Sequence, residues 1–285
     1  MALDYDKVIA TKQLDLDWEY TDRDSMLYAQ SIGMGRDPVD RKELDYVYEQ
    51  GASMRTVPTL ATAVVPNMFP PDLGWDFGQV LHIEHRLQLY RPMPPAAKLK
   101  IDKRVVDIFD RGEKLGAMFF FEVEGRLAKD DTVLFTQNVS VMARGDGGFG
   151  GPRGKGLPSH RVPRREPDLW CETDTRVDQA LLFRLNGDRN PLHADPDAAA
   201  QAGFEIPILH GLCTYGVACH AVLKTICDYD HTLIEAFDAR FSQPVMPGET
   251  IRTDMWQDGN VVSFQCSVPK RDVLVLRNGR CVLKG

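Results

Sequence analysis

Two periods of apolar spacing run along this chain and mark its elements. Alternating apolar and polar text at 105–109, 117–125 and 133–141 predicts strands in the first half, and 251–256, 261–268 and 273–276 do so in the second. Ahead of the second group, Leu212-Cys-Thr-Tyr-Gly-Val-Ala-Cys-His-Ala-Val-Leu-Lys-Thr-Ile-Cys is apolar or small almost all round. Its strongly polar positions, His220 and Lys224, fall four apart on one stripe, which predicts a buried helix. A buried helix followed by antiparallel strands predicts an α+β unit, a sheet curled around a helix.

The unit occurs twice. Asp24-Ser-Met-Leu-Tyr-Ala-Gln-Ser-Ile-Gly, reaching Arg36-Asp-Pro38, parallels Asp178-Gln-Ala-Leu-Leu-Phe-Arg-Leu-Asn-Gly, reaching Arg189-Asn-Pro191. Val57-Pro-Thr-Leu60 parallels Ile206-Pro-Ile-Leu209, and Tyr90-Arg-Pro-Met-Pro-Pro parallels Ser242-Gln-Pro-Val-Met-Pro. Landmarks in the same order at comparable spacing imply a duplicated domain. Between the copies lies Arg144-Gly-Asp-Gly-Gly-Phe-Gly-Gly-Pro-Arg-Gly-Lys-Gly, followed by Pro158, Pro163 and Pro167, too rich in Gly and Pro for a helix or a central strand. The chain therefore reads as a repeat over 1–144, a linker over 145–168 and a second repeat over 169–285. The glycines suggest a phosphate loop less well, because the Lys-Ser/Thr that completes a P-loop is missing.

Composition narrows the function. The chain has 285 residues, 43% apolar and 26% charged, as a folded protein of two domains would. A net charge of −7 argues against a nucleic-acid partner, and an anionic ligand would need a local cluster of Lys and Arg. No run approaches the ~20 apolar residues of a membrane helix. The acidic start has no h-region and the end is not a Ser-Lys-Leu address, so a cytoplasmic protein without membrane partners is expected. Cys171, Cys213, Cys219, Cys227, Cys266 and Cys281 form no C-x-x-C and are expected to be reduced packing residues.

Chemistry gathers in Leu185-Asn-Gly-Asp-Arg-Asn-Pro-Leu-His, which holds Asp188, Asn190 and His193. Gly187 and Pro191 forbid a continuous helix, so the segment is an irregular turn able to aim polar groups at one point. A carboxylate and an imidazole suit the two proton transfers of adding water to an enoyl thioester. Gly211 opens the buried helix, whose free N–H groups can hold the negative charge that develops on the thioester oxygen. Other readings stand beside this one. Asp-x-Asn-Pro is also a common turn sequence, and His210 reads better as a packed or backbone-bonding histidine. No metal is expected, since neither H-x-x-x-H nor clustered Cys/His spacing occurs.

The same segment, with Ala202-Gly-Phe and Pro207-Ile-Leu-His-Gly-Leu-Cys-Thr-Tyr-Gly, closely resembles the signature of (R)-specific enoyl-CoA hydratases, also called hydratase 2 or MaoC-like dehydratases. Val80-Leu-His82, Pro92-Met-Pro-Pro, Asp110-Arg111-Gly, Gly147-Gly-Phe-Gly-Gly and Arg240-Phe-Ser-Gln-Pro-Val-Met-Pro-Gly are similar to its two-domain subgroup, so the resemblance spans nearly the whole chain. It implies a double hot-dog fold with catalysis in the C-terminal repeat alone. Asp188 and His193 would be the catalytic pair holding the water, Asn190 would orient water or substrate, and Gly211 N–H would bind the thioester oxygen. His82, Ile83, Arg111 and Phe241 would contact an acyl-CoA. Two positions depart from the family: Ile83 stands where Gly is usual, and Arg111 where Lys is usual. No cofactor is implied, CoA being part of the substrate, and the resemblance leaves room for a homodimer.

Anchoring Pro38 on Pro191 puts Gly35 opposite Asp188 and Asp40 opposite His193, so the first repeat lacks the pair. It is expected to be catalytically silent and to accommodate the acyl chain beside the run Val57–Val65, which Pro66 ends. A hot-dog acyl-CoA thioesterase and a non-catalytic acyl-CoA binding protein are the rival readings.

Overall fold

Alternation of buried and partly buried residues, with Ala117, Phe119, Phe121 and Val123 on the buried face, marks strands that all join one sheet. The computed structural model describes residues 3–50, 54–65, 67–70, 73 and 79–285. Its strands are β1 (Lys12–Tyr20), β2 (Val80–Leu89), β3 (Ala97–Asp110), β4 (Ala117–Leu127), β5 (Val133–Ala143), β6 (Leu169–Asp174), β7 (Ile234–Phe241), β8 (Thr250–Asp258), β9 (Val261–Val268) and β10 (Val273–Leu283). The helices are α1 (Tyr5–Ile9), α2 (Asp22–Ser31), α3 (Arg41–Val47), α4 (Gln179–Phe183), α5 (Pro196–Gln201) and α6 (Gly211–Thr225).

The duplication is visible in the sheet. Outward from its middle, one side runs β2-β5-β4-β3-β1 and the other β7-β10-β9-β8-β6, the same order twice. The halves meet where β2 pairs antiparallel with β7, from Glu84 opposite Arg240 to Gln88 opposite Ala236. One apolar core runs through both, from Tyr20 to Leu283. A smaller cluster around Phe119, Phe121, Val139 and Val141 also packs Val8 of α1.

The buried helix is α6, and residues from Cys213 to Leu223 along it are buried. Gly216 lets it lie close to α2, since a Cβ there would meet Ile32 Cγ2 at 2.5 Å and Tyr28 Oη at 2.9 Å. In the first repeat the matching run is a short 3₁₀ helix, Pro58–Thr62, rather than a long one. A proline at its first position and another at 66, the latter outside the described residues, leave too few residues for a regular helix. Leu60 and Val64, beside which acyl room was expected, are buried in the shared core. Residues 144–168 contain no helix or strand. Among the described residues no helix is long and apolar enough to cross a membrane.

Candidate active site

The turn that carries the motif is assembled from local rules. A 3₁₀ turn over Arg184–Asn186 ends at Gly187, whose φ of +116° favours glycine. Asn190 N–H donates to Asp188 Oδ1 at 3.1 Å, and Asn190 Oδ1 accepts from Leu192 N–H at 3.0 Å. That cap, with Pro191 behind it, starts a second 3₁₀ turn, Pro191–His193. The first repeat braces the turn from below. Asn186 Nδ2 donates to Ser31 Oγ at 2.9 Å, Gln179 Nε2 donates to Ser31 O, and Arg36 Nη2 donates to Gln179 Oε1 at 2.8 Å.

His193 is buried, and its Nδ1 lies 2.9 Å from the Ile208 carbonyl oxygen. A carbonyl can only accept, so Nδ1 carries the ring proton and Nε2 is left as the base. Burial lowers the His193 pKa, while the Ile208 carbonyl and the Asp188 charge work the other way. The ring stacks on His210, centroids 3.8 Å apart at 27°. His210 is fully buried, its pKa pushed down to about 2 by burial and then by His193, and its Nε2 lies 3.4 Å from Asp188 O. His210 thus joins turn, helix start and His193 ring, the packed and backbone-bonding role that its surroundings in the sequence suggest.

Asp188, His193 and His210 each offer one ligand atom within 4.8 Å of the others. An imidazole binds a metal in its ring plane, and two stacked, nearly parallel rings do not converge on one ion. The same spacing also lets a shared water bridge a carboxylate oxygen and an imidazole nitrogen, since two hydrogen bonds of about 2.8 Å meeting at a tetrahedral water put their outer atoms about 4.6 Å apart. Among the described residues no hydrogen bond joins the Asp188 carboxylate directly to His193.

Across from the turn, Gly211 begins α6. The first amides of that helix to find a backbone acceptor are those of Cys213 and Thr214, both on His210 O, which leaves those of Gly211 and Leu212 for a ligand. A Cβ on Gly211 would meet the Phe241 ring at 3.0 Å, so a larger residue would push the ring back by a few tenths of an ångström. Phe241 also packs on His82, centroids 4.5 Å apart. Burial lowers the His82 pKa to about 4 against the opposing pull of Asp188. Behind it, His85 is fully buried between His82 and Tyr215.

The structure therefore brings together Asp188, His193, Gly211, His82 and Phe241, and uses the Asn190 amide oxygen to shape the turn. Ile83 and Arg111 line a separate pocket, next to this site along β2. The Ile208 carbonyl, the Ser31–Asn186 brace and His85 lie outside the sequence reading. Only the repeat alignment, which puts α2 at the matching place, hints at the brace.

The MaoC like domain family matches residues 159–277, and the MFE-2 hydratase 2 N-terminal domain matches 18–145. The enoyl-CoA hydratase ChsH3 of Mycobacterium tuberculosis is 36% identical over 98% of this chain and 98% of its own. This chain belongs to the MaoC-like hydratase 2 family. The peroxisomal multifunctional enzyme type 2 of Mus musculus is 38% identical over 91% of this chain, which spans 36% of that longer protein. A crystal structure of a MaoC-like dehydratase from Phytophthora capsici superposes with a TM-score of 0.86 at 30% identity, covering 98% of each chain. The hydratase 2 fold here is the α+β double hot-dog, with a full-length central helix in the second repeat.

Proposed function

We propose that this protein hydrates trans-2-enoyl-CoA to (R)-3-hydroxyacyl-CoA, and dehydrates in reverse, with Asp188 and His193 as its acid/base pair. The observation that carries the reading is the pair itself: a carboxylate and an imidazole with a free Nε2, within 4.8 Å and without a direct bond, beside the open amides of α6. Water held between them attacks C3 and gives its proton to the pair. Electrons moved to the thioester oxygen meet Gly211 N–H at the positive end of the helix. The same proton is then returned to C2, so water adds across the double bond with no other reactant. The Ile208 carbonyl keeps His193 in the useful tautomer, and Asp188 offsets the positive charge the ring acquires.

Phe241 and His82 would border the thioester, and Ile83 and Arg111 the CoA. A thioesterase would use water on the carbonyl carbon and release thiol. A binding protein would have no use for an intact water-holding pair. Incubation with 2-enoyl-CoAs of graded length, following loss of the conjugated absorbance, free thiol and the chirality of the product, tests the reading. Absorbance should fall without thiol release, and chiral chromatography should give the (R) product. Predominant (S) product, or thiol released in step with turnover, would overturn it.

A further inference from the structure

One side chain meets every part of the proposed reaction centre without reaching the substrate. His210 is fully buried. Its ring stacks on that of His193, centroids 3.8 Å apart at 27°. Its Nε2 lies 3.4 Å from the backbone oxygen of Asp188. Its own carbonyl accepts from Cys213 N–H at 3.1 Å and Thr214 N–H at 3.2 Å, which starts α6 and fixes where Gly211 N–H stands. Phe183 packs on the same ring, centroids 5.0 Å apart, and Tyr28 of α2 packs on Phe183, 6.1 Å apart. A chain of ring contacts thus runs from the base to the first repeat.

Stability alone does not account for a histidine here. The Asp188 oxygen can only accept, so Nε2 carries the His210 proton and Nδ1 is left as a bare acceptor. Nδ1 is buried and has no hydrogen-bond partner among the described residues. A buried acceptor left unpaired is destabilising, and an apolar ring of similar shape would avoid that loss. Proton transfer does not account for it either. Nε2 is held on a carbonyl and Nδ1 is enclosed. Burial, His193 and Arg184 together outweigh the Asp188 carbonyl and keep the ring neutral. What the imidazole combines is a flat face and an N–H on its edge. Phenylalanine offers the first without the second, and glutamine the second without the first.

We propose that His210 is a positioning residue for hydration: its face sets the plane of His193, and its Nε2–H ties down the turn that carries Asp188. This rests on the enoyl-CoA reading and deepens it. The face holds the His193 ring where Nδ1 meets the Ile208 carbonyl, 2.9 Å away, and leaves its Nε2 for water. The tie acts on the backbone of Asp188 itself, so it keeps the carboxylate at its distance from that nitrogen. Base, carboxylate and oxyanion donor share one anchor, and the anchor lies outside the reach of the substrate.

The test measures kcat, KM and melting temperature for His210→Phe, His210→Gln and His210→Leu with but-2-enoyl-CoA. His210→Phe keeps the stack and removes the unpaired Nδ1, so it should melt at or above the wild-type temperature. It should nevertheless lose about tenfold in kcat, the worth of one neutral hydrogen bond. His210→Leu loses both ties and should fall by about 10²-fold, the cost of a group misplaced by about 1 Å. His210→Gln, which reaches the Asp188 oxygen with its amide, should lie between wild type and His210→Leu. KM should hardly move, because a side chain with no exposed surface does not hold CoA. Nitrogen NMR of the histidine rings reads the hold on His193 without turnover: its Nδ1–H tautomer should persist in His210→Phe and become mixed in His210→Leu. Wild-type kcat in His210→Phe would overturn the tie to Asp188, and an unmixed tautomer in His210→Leu would overturn the hold on His193. A loss of kcat that follows the loss of melting temperature through all three variants would reduce His210 to packing. Failure of the wild type to hydrate any 2-enoyl-CoA, with the tautomer responding as expected, would overturn the reaction and leave the hold on His193 standing.

Discussion

The two repeats share one strand order, yet only the second carries the Asp188 and His193 pair proposed to hold water. At the position of Asp188 the first repeat has Gly35, where a Cβ would stand 2.9 Å from Val47 Cγ2. At the position of His193 it has Asp40, which caps α3 by accepting from Lys42 N–H at 2.9 Å and Glu43 N–H at 3.3 Å. Glu43 closes the space. Its carboxylate accepts from Gly35 N–H at 2.8 Å, His220 Nε2 at 2.8 Å and Tyr229 Oη at 2.9 Å. The side chains that would do chemistry have been replaced by a helix and a buried hydrogen-bonded carboxylate. The first repeat has become the brace of the second: α2 holds the catalytic turn through Ser31.

The largest effect expected from breaking this contrast is catalytic. Asp188→Asn and His193→Gln should each lower kcat by roughly 10²–10⁴ while KM moves far less. Asp40→Asn, at the matching place, should leave kcat near wild type. Initial rates with one enoyl-CoA measure all three, and near-normal turnover in a second-repeat variant would remove that residue from the mechanism.

Next comes the buried network of the first repeat. Burial alone would raise the Glu43 pKa, but hydrogen bonds from His220, Gly35 and Tyr229 outweigh it and hold the group at about 2. Glu43→Leu leaves His220 and Tyr229 unpaired and should cost about 3–5 kcal/mol of stability. The Glu43→Leu/His220→Leu double variant should recover part of it. The folded pKa lies below the ordinary 4.5, so this contribution is complete above that pH and is lost as pH falls toward 2. The catalytic side behaves differently. Burial keeps His82, His85, His193 and His210 neutral, with pKa values below the ordinary 6.5. Their contribution is present above pH 6.5 and is lost as pH falls below it, because the unfolded chain takes up those protons. Urea midpoints should therefore begin to decline below pH 6.5 and decline more steeply below about 4.5, where the Glu43 loss adds to that of the histidines. The Glu43→Leu variant should lose only the added steepness, and an altered decline between 6.5 and 4.5 would misplace the network.

Much of this was legible in the sequence where the signal is local. Alternation marked the strands around Phe119, Val139 and Phe264, and the small, apolar run from Leu212 marked α6. Gly187 and Pro191 marked the catalytic turn by forbidding a helix. Strands β1, β2, β6 and β7 were harder, because edge strands and the strands at the junction mix charged residues into the pattern, as at Glu84 and Arg86. The long-range contacts were not legible. His193 depends on a carbonyl at Ile208, the turn of Asp188 on Ser31, and residues 154–159 on Arg111 and Arg240, which bind Gly154 O and Ser159 Oγ. None of these pairs has a spacing that periodicity can detect. The reading of acyl room beside Leu60 followed the loss of a long helix there, and in the structure that run is a short 3₁₀ helix with Leu60 and Val64 buried.

A smaller effect tests whether the first site was lost by filling. Gly35→Asp restores the missing acid at a φ of +75° and against Val47, and should cost roughly 1–3 kcal/mol by overpacking. Adding Val47→Ala should return part of that stability, with thermal unfolding as the measurement. A Gly35→Asp variant as stable as wild type would mean that the space is open and that the acid was lost for another reason.

The smallest effect separates two caps at corresponding turns. Asp40 and Asn190 both accept backbone amides with a side-chain oxygen, so replacing either by Ala should cost about 0.5–2 kcal/mol. The functional consequences should differ. Asp40→Ala frays the start of α3, which touches no reacting group, and kcat should stay near wild type. Asn190→Ala loosens the turn that ends at His193, where a small misplacement of a base is costly, so kcat should fall by about tenfold. Asn190→Asp keeps the capping oxygen and should restore most of the rate if the residue acts by holding the turn. If Asn190→Asp is as slow as Asn190→Ala while equally stable to wild type, the amide nitrogen acts on water or substrate directly. The distinction needs only kcat and a melting curve for each variant. It decides whether the second repeat differs from the first by its two reacting side chains alone or by a third.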